Sequence, residues 1–144
     1  MLPKPVKRFL ESQSLTELFV TPGSDGCLEL HTRDSLDEVH QRVQAGTNLA
    51  ANIRTFSRMF YAQAESCEVD GQHRIRIPKR LAEWANLEKD LTVVGVGDHW
   101  EVWSQSAWEQ YFQSHQNNFD EVVALAMDEC TIESTKLEKP KVPR

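Results

Sequence analysis

The spacing of apolar positions changes period several times along the chain, and each change marks an element. After Pro3 and Pro5, Lys7 to Glu11 suits a short helix. Leu18-Phe19-Val20-Thr21 reads as a strand that stops at Pro22-Gly23. Asp25-Gly26 is a favoured hairpin pair, and Cys27-Leu28-Glu29-Leu30-His31 returns as its partner strand. Thr32 offers an N-cap oxygen to a helix carrying Leu36, Val39, His40 and Val43, which Gly46 stops. From Asn48 to Ala64 the apolar residues Leu49, Ile53, Phe56, Phe60 and Tyr61 predict an amphipathic helix.

The second half opens with a strand, Ser66 to Val69, a turn, Asp70 to His73, and a strand, Arg74 to Ile77. In that last strand Ile75 and Ile77 alternate with Arg74 and Arg76, so one face is apolar and the other cationic. Pro78 ends it and suits the first position of a short helix, Lys79 to Ala85, with Leu81, Ala82 and Trp84 inward. Leu91 to Val96 and Trp100 to Trp103 predict a strand pair around the turn Gly97-Asp98. Ser104 can cap a helix through Trp108, Tyr111 and Phe112, and Asp120 to Met127 extends or restarts helix. Thr131 to Arg144, polar and ending in two prolines, reads as a disordered tail.

These elements repeat. Leu2-Pro3-Lys4 matches Ile77-Pro78-Lys79, Leu28-Glu29-Leu30 matches Trp100-Glu101-Val102, and Asp34-Ser35-Leu36-Asp37 matches Ser106-Ala107-Trp108-Glu109. The shared order, more than any one pair, predicts two similar halves related by a pseudo-twofold axis.

Composition changes this picture in one respect. The chain of 144 residues, with 40% hydrophobic and 26% charged residues, has room for one ordinary domain or two very small ones. Its net charge of −6 argues against nucleic acid until the charges are located. Residues 1–8 carry Lys4, Lys7 and Arg8 without an acid, and residues 73–80 carry Arg74, Arg76, Lys79 and Arg80 without an acid. The remainder holds 9 bases against 22 acids, a balance of −13. Phosphate contact depends on local potential, so two basic segments on an acidic body point toward DNA rather than away from it.

Other chemistry finds little support. Cys27, Cys67 and Cys130 lack any Cys-x-x-Cys spacing, which argues against a disulfide framework or a thiolate metal site and favours a reducing cytoplasm. The N-terminus has no apolar stretch of signal-peptide length, and no window approaches 18 apolar residues, so no membrane partner is expected. His31, His40, His73, His99 and His115 form no i,i+4 pair around a carboxylate, so no metal and no cofactor are expected. Cys67 near His73 lacks a third orienting group, and no Gly-rich phosphate loop occurs, so the chain is not read as an enzyme. Trp100, Trp103, Trp108 and Tyr111 fall at core spacing rather than as a base-stacking platform.

The string CEVDGQHRIRIPKRLAEWANL followed by LTVVGVGDHWEVWSQSAWEQY resembles the second repeat of the MraZ family of bacterial regulators, associated with the cell-division and cell-wall gene cluster. Asp70 and Arg74 match that family's Asp-x-x-x-Arg signature, and Ile77-Pro78 its strand end. RFLESQSLTELFVTPGSDGCLEL resembles the first module after its own signature, which has no counterpart ahead of Pro3. The resemblance implies an α+β fold of two tandem AbrB-like swapped-hairpin β modules with short helices, pseudo-twofold, plus a linking helix and a C-terminal helix. Residues 1–46 would be an N-terminally truncated first module, 47–63 the linking helix, 64–112 the second module, and 113–144 a C-terminal helix and tail. It further implies a ring-like homo-oligomer, cytoplasmic and nucleoid-associated, that binds promoter repeats in double-stranded DNA. The DNA-binding residues would be Asp70, His73, Arg74, Arg76, Lys79 and Arg80. A two-stranded ribbon fits the major groove, and Asp70 would serve by fixing the turn and Arg74 rather than by facing phosphate. The competing expectation is an oligomeric structural or interaction protein of the same fold without specific DNA binding.

Overall fold

The computed structural model describes residues 1–45 and 51–132, with the side chains of residues 44–45 and 130–132 left out of account. The expected stop at Gly46, the Asn48-Leu49 start of the linking helix and the tail from residue 133 lie outside the described residues. The elements run α1 (Lys4–Ser12), β1 (Glu17–Pro22), β2 (Leu28–His31), α2 (Arg33–Ala45), α3 (Ala51–Gln63), β3 (Glu65–Glu68), α4 (Lys79–Trp84), β4 (Leu91–Gly95), β5 (Trp100–Ser104), α5 (Gln105–Gln116) and α6 (Phe119–Ile132). The fold is α+β: five antiparallel strands in the order β3-β1-β2-β5-β4, with helices around them. No described helix is long and apolar enough to cross a membrane.

The order α1-β1-β2-α2 recurs as α4-β4-β5-α5, and the two β-pairs join edge to edge through β2 and β5. In that seam Leu28 pairs with Val102, Glu29 with Glu101 and Leu30 with Trp100. Repeat-equivalent residues Glu29 and Glu101 therefore face each other, which places the pseudo-twofold axis between them.

Local sequence explains the matching ends of the two halves. Pro3 and Pro78 occupy the N-cap of α1 and α4, each extended, with φ −61° and −56°. Pro78 thus sits one position before the helix rather than in its first turn. Pro5 does lie inside the first turn of α1, where a missing N–H costs nothing, so this helix starts earlier than the spacing alone suggests. Both helices end on a non-glycine residue in the left-handed region, Ser14 (φ 54°) and Asn86 (φ 49°). The next amides, Leu15 and Leu87, donate to Leu10 and Ala82 carbonyls at 2.9 Å in each case.

The core lies on one face of the sheet. Val6 and Leu10 of α1, Leu18 and Val20 of β1, Leu28 and Leu30 of β2, Leu81 and Ala85 from the α4 region, and Trp100 and Val102 of β5 form one cluster. Phe9 meets Trp100 edge to face at 5.4 Å. Because both halves supply this cluster, neither buries its sheet face alone.

Trp84 corrects the expected inward set of α4: Leu81 is buried and Ala82 half-buried, but Trp84 is exposed, and Ala85 takes the interior place instead. A six-residue helix completes too few turns to bury three of its positions. The stripe on α3 is likewise only partly covered, with Phe60 buried but Phe56, Met59 and Tyr61 exposed. Trp100 and Trp103 are core residues as expected, Trp108 is half-buried, and Tyr111 lies at the surface against Trp103 (5.0 Å). Ser104 caps α5 by accepting the Ala107 N–H, and Thr32 accepts the Ser35 N–H at the head of α2. Helix α6 extends through Ile132, two residues into the segment expected to be tail.

Candidate nucleic-acid interface

The site begins at an edge. Among the described residues strand β3 pairs only with β1, and Val69 prolongs that pairing by donating to the Thr16 carbonyl at 2.8 Å. The chain then turns on Asp70. Its Oδ1 accepts the Gln72 N–H (2.8 Å) and the Arg74 N–H (2.9 Å), and its Oδ2 accepts Arg74 Nε–H (2.9 Å). The Asp70 N–H donates to the Arg74 carbonyl, and the His73 N–H to the Asp70 carbonyl, both at 3.0 Å. His73 completes the turn in the left-handed region at φ 57°.

One carboxylate thus closes the loop and aims one guanidinium, which is the role the Asp-x-x-x-Arg spacing requires. Two amides and a guanidinium satisfied by the charged form pull the Asp70 pKa below its usual value; the Arg74 amide is the largest cause, and partial desolvation opposes it.

Beyond Arg74 the expected strand is not formed. Among the described residues no ladder runs along 74–77, and the turn's backbone hydrogen bonds end at Arg74. The alternation survives in burial. Ile75 and Ile77 pack against the core, whereas Arg74 and Arg76 are exposed. The arm is a single segment without a paired strand rather than half of a closed ribbon.

The structure brings Asp70, His73, Arg74, Arg76 and Lys79 into one continuous arm, exposed except at the half-buried His73, and treats Arg80 differently. Arg76 and Lys79 are exposed and form no ion pair among the described residues. His73 lies 3.1 Å from Glu11 Oε1, and its carbonyl accepts the Leu2 N–H at 2.8 Å, so the first basic segment begins beside the second. Arg80 is exposed but engaged by its own chain. Its guanidinium donates to Gln63 Oε1 (3.0 Å), the Gln63 carbonyl (3.3 Å) and Glu65 Oε1 (3.1 Å), bracing the junction of α3 and β3.

A second cluster went unseen in the sequence. Glu29, His31 and His99 meet on the seam between β2 and the turn before β5, with their ligand-type atoms all within 4.8 Å of one another. His31 Nε2 lies 2.8 Å from Glu29 Oε1 and its Nδ1 2.7 Å from Ser35 Oγ. His99 Nδ1 lies 2.6 Å from Asp98 Oδ1 and its Nε2 3.8 Å from Glu29 Oε2. A search for i,i+4 pairs cannot find two histidines brought together by strand pairing. Burial opposes protonation of His99, but the Asp98 hydrogen bond and the charges of Glu29, Asp98 and Glu101 outweigh it and raise its pKa. The His99 hydrogen bond in turn lowers Asp98 to about 2, against the cost of its own burial and with help from the charges of His99 and Arg42. The field at this cluster favours positive charge.

A small α+β protein with an acid-locked turn and a basic arm falls, by comparison, among transcriptional regulators. A relative from Heliobacterium modesticaldum named Transcriptional regulator MraZ is 37% identical over 117 residues, covering 81% of this chain and 82% of the relative. Relatives of the same name from Ligilactobacillus salivarius and Caldanaerobacter subterraneus subsp. tengcongensis are each 38% identical, over 109 and 111 residues. They cover 76% of this chain in both cases, and 76% and 78% of the relatives. The family model for the MraZ protein matches residues 60–130, which contain the whole arm. The chain belongs to the MraZ family, one of regulators by name rather than of enzymes.

Proposed function

We propose that this chain is a sequence-specific DNA-binding transcriptional regulator of the MraZ type, acting as a ring-like homo-oligomer on promoter repeats of the cell-division and cell-wall gene cluster. The observation that carries the reading is the Asp70–Arg74 lock. An acid that uses both oxygens on the turn and on Arg74 leaves the cationic side of the arm free to meet an anion. Arg74 and Arg76 would reach phosphates or base edges in the major groove, Lys79 would add a phosphate contact, and His73 would add charge when protonated. Arg80 would contribute as a brace more than as a contact, because its guanidinium is engaged by Gln63 and Glu65.

One arm offers too few phosphate contacts for tight binding, so the reading requires several arms on one assembly. Two features favour self-association. The arm at residues 74–77 has no ladder partner among the described residues. Phe56, Met59 and Trp84 leave apolar surface uncovered around a cavity of about 590 Å³. An acidic body would hold non-specific DNA off and leave the arm as the point of approach, with the protein working in the cytoplasm on the nucleoid.

The test is binding of wild type and Arg74→Ala to a duplex carrying the gene's own upstream region, alongside a scrambled duplex, with assembly followed by native mass spectrometry. The reading expects an oligomer that prefers the upstream duplex and loses that preference on substitution. An oligomer that binds both duplexes weakly and alike, with or without Arg74, supports the structural or interaction protein instead.

A further inference from the structure

The axis between Glu29 and Glu101 relates two clusters of unlike chemistry. Glu101 is flanked by Trp103 and Cys27, and Glu29, at the positions 72 residues away in the repeat, by His31 and His99. The contacts repeat. Trp103 Nε1 donates to Glu101 Oε1 at 3.1 Å where His31 Nε2 meets Glu29 Oε1 at 2.8 Å. An indole N–H can only donate, so the Glu101 cluster is complete as a hydrogen-bonded pair. Imidazoles can instead offer a lone pair, and here both are held by the far nitrogen, His31 Nδ1 by Ser35 and His99 Nδ1 by Asp98. Such outer partners are what orient metal-bound histidines and select Nε2 as the ligand. His99 Nε2 is itself buried without a hydrogen-bond partner among the described residues, which is costly for a polar atom.

We propose that Glu29, His31 and His99 bind one divalent transition-metal ion of the zinc class, with a further coordination position opening onto the cavity that all three line. Two imidazoles and one carboxylate suit zinc, cobalt or nickel rather than magnesium or calcium. Tetrahedral bonds of about 2.0 to 2.1 Å place ligand atoms about 3.4 Å apart, so the 3.8 Å separation of His99 Nε2 and Glu29 Oε2 must close by a few tenths of an ångström. The two rings, now stacked at 4.7 Å and 18°, must also tilt so that their Nε2 atoms converge on one centre from a cluster now spread over up to 4.8 Å. His31 coordinates as the tautomer with its proton on Nδ1, donated to Ser35 Oγ. The hydroxyl can take either role, and the proton count of a neutral ring does not change. A ring that starts as imidazolium releases one proton to solvent.

The experiment titrates the full chain, stripped by a chelator, with Co²⁺ and then Zn²⁺, following visible absorption and thermal unfolding. The proposal expects one Co²⁺ per chain, since the Glu101 cluster has no second site, with the absorption of a nitrogen and oxygen tetrahedral centre, displacement by Zn²⁺ and a raised Tm. His99→Gln and Glu29→Gln, on the half-buried members, lose the Co²⁺ absorption and the Tm shift. Asp98→Asn, a positioning change, keeps the spectrum and weakens binding by about 10–100-fold. Binding that survives His99→Gln unchanged, a thiolate charge-transfer band, or no Tm response to Zn²⁺ in the wild type overturns it. His31→Gln is avoided as the sole test because His31 is fully buried and its loss can unfold the chain.

Discussion

Glu29 stands directly opposite Glu101 across the β2–β5 seam, each the repeat counterpart of the other. Like charges in that register repel, and each carboxylate is drawn aside by a neighbour, Glu29 by His31 and Glu101 by Trp103 Nε1, which relieves the repulsion. Glu101→Gln should remove the repulsion and keep an acceptor for Trp103, giving a change between neutral and about 1 kcal/mol stabilising. Glu29→Leu should leave His31 Nε2 unpaired in the interior and cost about 1–3 kcal/mol. Urea midpoints of the two variants check the asymmetry.

The Asp70 turn should depend on pH in a definite direction. Its carboxyl is held below the ordinary value, so the ordering it supplies is present above the unfolded pKa of about 4 and lost as pH falls through the lower folded value. The protection of the Gln72 and Arg74 amides, taken relative to their intrinsic exchange rates at each pH, should therefore fall only below about pH 4. Asp70→Asn should abolish that dependence, retaining the Oδ1 acceptor but losing the charge that holds Arg74.

The two left-handed helix ends offer a test of the repeat. An L-residue in that region is strained by about 1–2 kcal/mol, whereas glycine is not. Ser14→Gly and Asn86→Gly should each stabilise by about 0.5–1 kcal/mol, less for Asn86, since asparagine tolerates the conformation better. The two should add, because they lie at separate helix ends. Thermal midpoints measure both.

Much of this was legible in the chain. The repeat gave two similar halves, but the seam where Leu28-Glu29-Leu30 pairs with Trp100-Glu101-Val102 was not in it, because similarity of two strings does not say that they pair. Caps at Thr32 and Ser104 and the hairpin at Asp25-Gly26, where both residues adopt positive φ, follow from local chemistry. What escaped depends on partners distant in sequence. Arg74 to Ile77 has strand periodicity but no ladder, because periodicity reports which face is apolar and not whether a neighbour is present. Arg80 belongs by spacing to the basic run, yet Gln63 and Glu65 claim its guanidinium from a preceding element. His31 and His99 meet only through the strand order.

Trp100 should be the most costly single core loss. It is fully buried at the junction of both halves, so Trp100→Ala should cost about 3–5 kcal/mol and unfold the two halves together. A single transition at lower denaturant, seen alike by circular dichroism and by fluorescence of the remaining tryptophans, is the expected result.

Arg80 should separate from its neighbours in function. Arg80→Ala should lower stability by about 1 kcal/mol or less, as an exposed brace does, and leave the salt dependence of DNA binding nearly unchanged.

The central claim is that the exposed cations of the arm meet DNA, and the slope of log affinity against log salt tests it most directly. Wild type, Arg76→Ala, Lys79→Ala and the control Lys89→Ala, which lies outside the arm, are compared on the upstream duplex. The account predicts that each arm substitution weakens binding and lowers the slope by about one per phosphate contact removed, with Lys89→Ala matching wild type. Arm variants that keep the wild-type affinity and the wild-type slope contradict it.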